Sequence, residues 1–470
     1  MVREAMKYLS TRGGAEPVGF IDALLHGLAP DGGLYAPQAW PTLTDAQIAA
    51  FAGRPYAQVA AEIVGLFAGQ DIAAATIGDI CERAYAGFAH PAVAPLRQLA
   101  PGLFLLELFH GPTLAFKDMG LQLLAHLYDH ALAARGRTMT VVCATSGDTG
   151  GAAVEAFAGR ANVRLVALFP EGRISENQRR FMTTRKEDNV RAVAVAGDFD
   201  DCQAMLKAML EDGQFVRAVG MTAVNSINFA RIVAQTIYHF TAAAALGGPA
   251  RAVAFATPTG NFGDAYAGWA AHRMGLNIER IVVATNANDI VARALQRGRY
   301  QRGAAIATQS PAMDIQVASN FERLHFECAG RSGEETARAF RAFAASGAID
   351  IPPATLKAMG EVFHAVAVSE GETARTILAA YEETGELIDP HTAVALAAAR
   401  SAGAADPHTP MICLATAHPA KFPDAVRAAA GVWPPVPAAM GALADAPERF
   451  DRLAADVEAA KAYVRGFARS

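Results

Sequence analysis

The sequence predicts an α/β fold: two domains built around mainly parallel sheets, preceded by a mainly helical section. Three observations carry that expectation. From about residue 103, short apolar strands alternate with amphipathic helices, the pattern of βαβ units. Three of the connecting loops are rich in glycine or hydroxyl residues. Each leaves the carboxyl end of a strand and opens a helix, where open α/β sheets place their ligands. The 470 residues are 52% hydrophobic and 19% charged, enough apolar surface for a large core divided over two or three domains.

Residues 1–90 read as a separate opening section, with Ala-rich helical stretches at Asp45 to Ala52 and Tyr56 to Ala68 between Gly/Pro breaks. Residues 91–430 form the main region, a smaller α/β domain at roughly 110–215 being nested in the larger one. Its first unit is a strand at Leu103 to Phe109, a turn at His110 to Thr113, and a helix from Ala115 to about Arg135. The second is a strand at Thr138 to Ala144, the loop Thr145 to Gly151, and a helix through Phe157. The third is a strand at Arg251 to Ala256, the loop Thr257 to Gly263, and a helix from Asp264 to about Met274. Further strands are expected at Val190 to Val195, Ile281 to Thr285 and Met411 to Ala415, and residues 431–470 read as a helical tail.

Composition excludes several classes of function. A net charge of −5 and a pI near 6.2 supply no field for a nucleic acid or an anionic membrane, so anionic ligands are expected to be small. Cys81, Cys143, Cys202, Cys328 and Cys413 lie far apart, with no CxxC pair and no His grouping at zinc spacing, so neither disulfides nor a metal site is expected. No apolar run is long enough to span a bilayer, and the first ten residues do not read as a signal peptide; the expected location is the cytoplasm.

Only seven of the 41 basic residues are lysines: 7, 117, 186, 207, 357, 421 and 461. Lys117 follows Leu114-Ala115-Phe116 in the first turn of a predicted helix, where the helix dipole disfavours a cation. An apolar pocket there lowers a lysine's pKa and favours the neutral amine that attacks an aldehyde, a reaction arginine cannot perform. The alternative is a lysine that lays its stem on an apolar surface with its head in water. Lys421, in Ala417-His-Pro-Ala-Lys421, is the rival in a similarly punctuated loop.

The loop Gly260-Asn261-Phe262-Gly263 is either an anion cradle, with inward-turned backbone N–H groups at a helix start, or a tight strand-to-helix turn. The loop Thr145-Ser146-Gly147-Asp148-Thr149 offers three hydroxyls and backbone donors at another helix start. It suits a carboxylate or phosphate if the Asp148 carboxylate points away or binds an ammonium group; otherwise it is a cap cluster. Asn225-Ser226-Ile227-Asn228 reads as capping, Asp198, Asp200 and Asp201 as a solvated turn, and His110 and His418 as structural hydrogen bonders. Neither GxGxxG nor GxxxxGK[ST] occurs, which argues against nicotinamide dehydrogenases and P-loop kinases.

Seven segments, in order, resemble threonine synthase in its longer microbial and fungal form: Met6-Lys-Tyr-Leu-Ser-Thr-Arg-Gly13, Phe109-His-Gly-Pro-Thr-Leu-Ala-Phe-Lys-Asp118, Ala144-Thr-Ser-Gly-Asp-Thr-Gly150, Val224-Asn-Ser-Ile-Asn-Phe-Ala-Arg231, Gly260-Asn-Phe-Gly-Asp264, Met313-Asp-Ile-Gln-Val-Ala-Ser-Asn-Phe-Glu-Arg323 and Thr416-Ala-His-Pro-Ala-Lys-Phe422. The resemblance implies pyridoxal-phosphate fold type II, like the tryptophan-synthase β group, with pyridoxal 5'-phosphate held between two α/β domains. The implied reaction converts O-phospho-L-homoserine and water to L-threonine and phosphate, a carbon–oxygen lyase step that ends threonine biosynthesis. The implied assembly is a monomer or a homodimer.

Carried over by position, Lys117 is the Schiff-base lysine and catalytic residue. Gly260, Asn261, Phe262, Gly263 and Asp264 hold the cofactor phosphate, and Thr416 faces the pyridine nitrogen. Position 264 is Asp where relatives can carry Asn, which leaves its backbone N–H as the donor to a dianion. Thr145, Ser146, Asp148, Thr149, Asn225, Ser226 and Asn228 are candidates for the substrate's carboxylate and phosphate, with Arg173 and Arg231 as further cations. The nearest alternatives are a dehydratase or β-replacement enzyme of the same fold, which need no second phosphate site, and a non-catalytic homologue.

Overall fold

The alternation that begins near residue 103 resolves into two separate sheets in the computed structural model, which describes residues 6–224, 226–403 and 408–469. The larger sheet has six strands in the order Phe363–Ala367, Ile278–Thr285, Val253–Pro258, Met411–Ala415, Leu103–Glu107 and Leu96–Ala100. Neighbours are parallel except the last pair, which is antiparallel. Val253–Pro258 and Met411–Ala415 are buried at every residue. Such strands, covered on both faces, read as continuous apolar runs rather than alternating ones. Leu96–Ala100 exposes Arg97 and Gln98, polar residues that blunt a sheet edge.

The smaller sheet is wholly parallel, in the order Asp451–Ala454, Val190–Ala196, Val163–Pro170, Met139–Ala144 and Met221–Ala223. It therefore draws on residues beyond the 110–215 span expected for the smaller domain. The tail expected to be helical contains a strand as well: helix Ala438–Ala444, strand Asp451–Ala454, helix Val457–Arg469. That strand is four residues long and mostly exposed, so it carries no alternating apolar signal. Helix Val457–Arg469 buries Ala460, Val464 and Phe467, one face at helical spacing, in the same cluster as Met205 and Met209.

The opening section has helices Phe20–His26, Asp45–Ala49, Tyr56–Ala68 and Ala74–Tyr85, and a two-stranded antiparallel pair, Tyr8–Ser10 with Tyr35–Pro37. Its core is continuous with the main one: Tyr8 and Trp40 both pack against Phe229. It is also tied by charge. Thr11 Oγ1 donates to Glu322 Oε1 at 2.7 Å, and Arg12 reaches the two carboxylate oxygens at 3.0 and 2.9 Å. Among the described residues no helix is long and apolar enough to cross a membrane. The five cysteines are free, and burial pushes each thiol up to about 12, away from reactive thiolate.

Candidate active site

Strands Val253–Pro258, Met411–Ala415 and Leu103–Glu107 lie side by side and parallel, so the loops at 259–262, 416–418 and 108–116 leave the same edge of the larger sheet. In the smaller sheet, Met139–Ala144 and Met221–Ala223 are likewise adjacent and parallel, and put the segments at 145–147 and 226–228 at one edge. Sheet order thus gathers the sequence-predicted loops in two groups.

The loop before Lys117 is restrained from both sides. Phe116 N donates to Thr416 O at 2.8 Å and His418 N to Leu114 O at 3.0 Å, an isolated antiparallel bridge between Ala115 and Ala417 that pins the two loops together beyond the parallel strands. Thr113 donates through N and Oγ1 to Asp118 at 2.8 and 2.7 Å, and Asp118 is fully buried. Leu114 has φ +59° and Phe262, in the second loop, +61°. A bulky residue in this left-handed region costs about 1–3 kcal/mol and persists only where its surroundings over-determine it.

Those restraints deliver Lys117 to the first residue of helix Lys117–Ala134. Its side chain is 11% exposed, with Nζ 3.5 Å from Asp148 Oδ2 and 5.1 Å from the centre of the Phe116 ring. Burial lowers the Lys117 pKa, and the charges of Lys421 and Arg231 act in the same direction against the attraction of Asp148. Asp148 opens helix Asp148–Phe157 and accepts from Lys421 Nζ at 2.9 Å and from Gln178 Nε2 at 3.2 Å. Burial alone would raise its carboxyl, but the two ammonium groups and the Gln178 amide together hold it well below the usual carboxylate range. Lys421, expected only as a rival to Lys117, is a member of the same site: it is 2% exposed and also donates to Thr113 O at 2.8 Å.

In the hydroxyl loop, Thr145 Oγ1 accepts from Gly147 N and Gly150 N at 2.9 and 2.8 Å, so it caps the helix from inside. Ser146 is exposed and Thr149 half-buried. Gly147 has φ +138°, and a Cβ there would lie 2.4 Å from Gln178 Cδ, so the turn excludes any larger residue.

In the loop after Val253–Pro258, Phe262 N donates to Thr259 Oγ1 at 3.0 Å, and helix Gly263–Arg273 begins without a side-chain cap. A Cβ at Gly260 would lie 2.9 Å from Ile315 Cδ1 and 3.1 Å from Ala312 O. A closely backed turn with a left-handed residue and an uncapped helix start is the donor arrangement that suits a phosphate dianion, so the residues present fit a cofactor phosphate of the kind the resemblance implies. The Asp264 side chain points elsewhere: it accepts from the Tyr238 hydroxyl, and burial raises its carboxyl to about 7. Its contribution to an anion is confined to the backbone.

Asn225 lies outside the described residues. Asn228 caps helix Phe229–Ala245 through Oδ1 and donates through Nδ2 to Leu24 O and the Tyr128 hydroxyl, the capping role read from sequence. Ser226 is half-buried and Thr416 buried. Asp198 and Asp201 form the capping box of helix Phe199–Glu211. His110 bonds Glu107 at 2.7 Å, and His418 accepts from Ala420 N, its pKa lowered to about 4 by burial. Of the two arginines, Arg231 is buried near Lys117, whereas Arg173 is exposed.

Comparison with known proteins bears on the whole chain. Residues 7–85 match a family described as threonine synthase N terminus, 90–362 one described as pyridoxal-phosphate dependent enzyme, and 392–464 one described as threonine synthase, C-terminal. A threonine synthase from Pseudomonas aeruginosa is 47% identical over 460 residues, covering 98% of both chains. The chain belongs to the threonine synthase family. Among solved structures of that family, the pyridoxal-phosphate-bound threonine synthase of Brucella melitensis superimposes with a TM-score of 0.97 at 49% identity, over 99% of this chain and 100% of that one. Threonine synthase from yeast gives 0.93 at 36% identity, over 98% and 99%. The expected pyridoxal-phosphate fold type II is therefore the fold of this chain.

The sequence alone assigns no role to Asn320, Arg323, Gln178 or Asp118. Asn320 Nδ2 donates to both Asn261 O and Ser226 O, at 3.1 and 3.2 Å. Arg323, fully buried, donates to Asn320 Oδ1, Ile227 O and Tyr35 O. The segment Met313 to Arg323 is recognisable in sequence, but its links are long-range and leave no local periodicity to read.

Proposed function

We propose that this threonine synthase family member converts O-phospho-L-homoserine and water to L-threonine and phosphate, with pyridoxal 5'-phosphate bound between the two sheets and joined to Lys117. The observation that carries the reading is the contrast between the two lysines. Lys421 Nζ is held by a carboxylate oxygen and a carbonyl at 2.9 and 2.8 Å, whereas Lys117 has one 3.5 Å contact and a pKa lowered by burial. A weakly engaged amine of lowered pKa is the better nucleophile toward an aldehyde.

When bound, the cofactor supplies a conjugated ring that stores the negative charge left on the substrate. The amides of Gly260, Asn261, Phe262, Gly263 and Asp264 would hold its phosphate, and Thr416 would face its pyridine nitrogen. Lys117 Nζ takes one proton from the substrate's Cα and one from Cβ and returns them to Cγ, which becomes the methyl group, and to Cα, while phosphate leaves Cγ and water adds its hydroxyl at Cβ, its proton going to the departing phosphate. Ser146, Thr149 and the backbone donors at 145–149, with residues 225–226, orient the substrate's carboxylate and phosphate. Thr145 and Asn228 shape those loops from behind, and Asp148 balances the charge of the two lysines. Free cysteines accord with a reducing cytoplasm.

Two measurements test the reading. Borohydride reduction of the protein purified with pyridoxal phosphate, followed by peptide mapping, is expected to leave a pyridoxyl group on Lys117; finding it on Lys421, or nowhere, overturns the assignment. Phosphate release from O-phospho-L-homoserine is expected to exceed ketoacid release from threonine, and the reverse order would make the chain a dehydratase.

A further inference from the structure

Asp148 is shared unequally. One oxygen, Oδ1, is occupied by Lys421 at 2.9 Å and Gln178 at 3.2 Å; the other, Oδ2, faces Lys117 at 3.5 Å. Lys421 cannot drift from this arrangement. It ends the short helical turn Pro419–Lys421, its Nζ also donates to Thr113 O, and it lies 5.2 Å from the centre of the Phe181 ring. Thr113 in turn is bonded through N and Oγ1 to Asp118, the residue next to Lys117. The two sheets contribute opposite members: Asp148 follows Met139–Ala144 of the smaller sheet, and Lys421 follows Met411–Ala415 of the larger.

We propose that Lys421 is a positioning residue that engages Asp148 across the cleft and thereby leaves Lys117 available as a free amine. Two effects of the Lys421 charge act in the same direction. It draws the carboxylate toward itself, which weakens the attraction that would keep Lys117 protonated, and it repels a second ammonium group nearby. The charged groups that face Lys117 are Asp148, Lys421 and Arg231. Of these, Lys421 alone both acts on Lys117 directly and bonds the carboxylate that opposes it. The inference rests on Lys117 being the lysine that reacts.

The test is the pH dependence of Lys117 reactivity in the full-length protein stripped of cofactor. Acetic anhydride, which does not titrate, reacts only with a neutral amine: the nitrogen bonds one acetyl carbon, acetate leaves and the amine's proton goes to solvent. The rate at Lys117 is read by peptide mass spectrometry from pH 6 to 10, taken in roughly half-unit steps across the range where amines titrate. Lys421→Met is expected to move the midpoint upward, and a midpoint higher by about one pH unit makes the reaction roughly tenfold slower at pH values well below the native midpoint. Lys421→Arg is expected to keep the native midpoint. Asp148→Asn is expected to move it downward, and this arm stands even if Lys421→Met does not fold. The capture rate of added pyridoxal phosphate, followed by absorbance, is expected to change in step. An unchanged midpoint in folded Lys421→Met, or in Asp148→Asn, overturns the proposal. Borohydride labelling at Lys421 would instead overturn the assignment of Lys117, so the two failures are distinguishable.

Discussion

Asn320 holds the carbonyl of Asn261 twice, through its backbone N and through its side-chain Nδ2, both at 3.1 Å. The same Nδ2 reaches Ser226 O, so one amide joins the loop proposed for the cofactor phosphate to a loop proposed for the substrate. Asn320→Ala removes that joint and strips Arg323 of one acceptor. An unmet buried hydrogen bond costs about 1–3 kcal/mol. The expected result is a cofactor Kd raised roughly tenfold or more, read by fluorescence titration. A variant that binds cofactor as tightly as the native protein would show that the joint has no bearing on the loop.

Asp264 gives a pH signature. Its folded pKa is raised from the ordinary carboxylate value to about 7 by burial. The contribution of this group is therefore favourable below about pH 4, where both folded and unfolded forms are protonated, and is lost progressively as pH rises to about 7. Asp264→Asn, with the amide accepting from Tyr238, is expected to flatten the fall in melting temperature over that interval. Thermal melts across pH 4 to 8, in roughly unit steps spanning the two values, supply the comparison. An equal slope in the two proteins contradicts the burial argument.

Gly147 cannot carry a side chain without displacing Gln178, given its φ of +138° and the 2.4 Å approach. Gly147→Ala is expected to lower stability by about 1–3 kcal/mol through backbone strain and to loosen Gln178 from Asp148. Gln178→Ala separates the two effects, since it clears the space without straining the turn. If Gly147→Ala melts no lower than Gln178→Ala, strain at this position is negligible.

Glu322 ties the opening section to the catalytic region through Thr11 and Arg12. Its side chain is 6% exposed against 28% for Arg12, so removing the carboxylate takes both of these bonds from the guanidinium and leaves the buried Thr11 hydroxyl without its acceptor. Glu322→Ala is expected to cost about 2–4 kcal/mol and to raise hydrogen exchange in Tyr8–Ser10 and Tyr35–Pro37 ahead of global unfolding. Exchange that rises uniformly across the chain would mean that the section has no local opening of its own.

What is legible in the sequence is local. Strand Met411–Ala415 falls at the residues expected for it, and helix Asp148–Phe157 ends where expected, because burial pattern and Gly/Pro punctuation repeat over short windows. Lys117 stands out because arginine elsewhere supplies the charge. Strands Leu96–Ala100 and Asp451–Ala454 escape because each is short and mostly exposed, and Asp451–Ala454 is defined by pairing with the distant strand Val190–Ala196. The site follows the same division: loops rich in glycine and hydroxyls announce themselves, whereas the pairing of Lys421 with Asp148 and the span of Asn320 exist only once the sheets are assembled. Asp264 belongs to a recognisable motif, yet its side chain turns to Tyr238 in the core.

The position of Met411–Ala415 bears on how the protein is made. That strand lies between Val253–Pro258 and Leu103–Glu107, and Asp451–Ala454 completes the edge of the other sheet. A ribosome that has delivered four-fifths of the polypeptide has released a large sheet with its centre missing and a small sheet with an open flank. Strands that must wait for partners so far downstream leave apolar edges uncovered during synthesis, the condition under which nascent chains associate with one another or with chaperones. The space between the two sheets accordingly takes its shape only after the strands at 411–415 and 451–454 have been made.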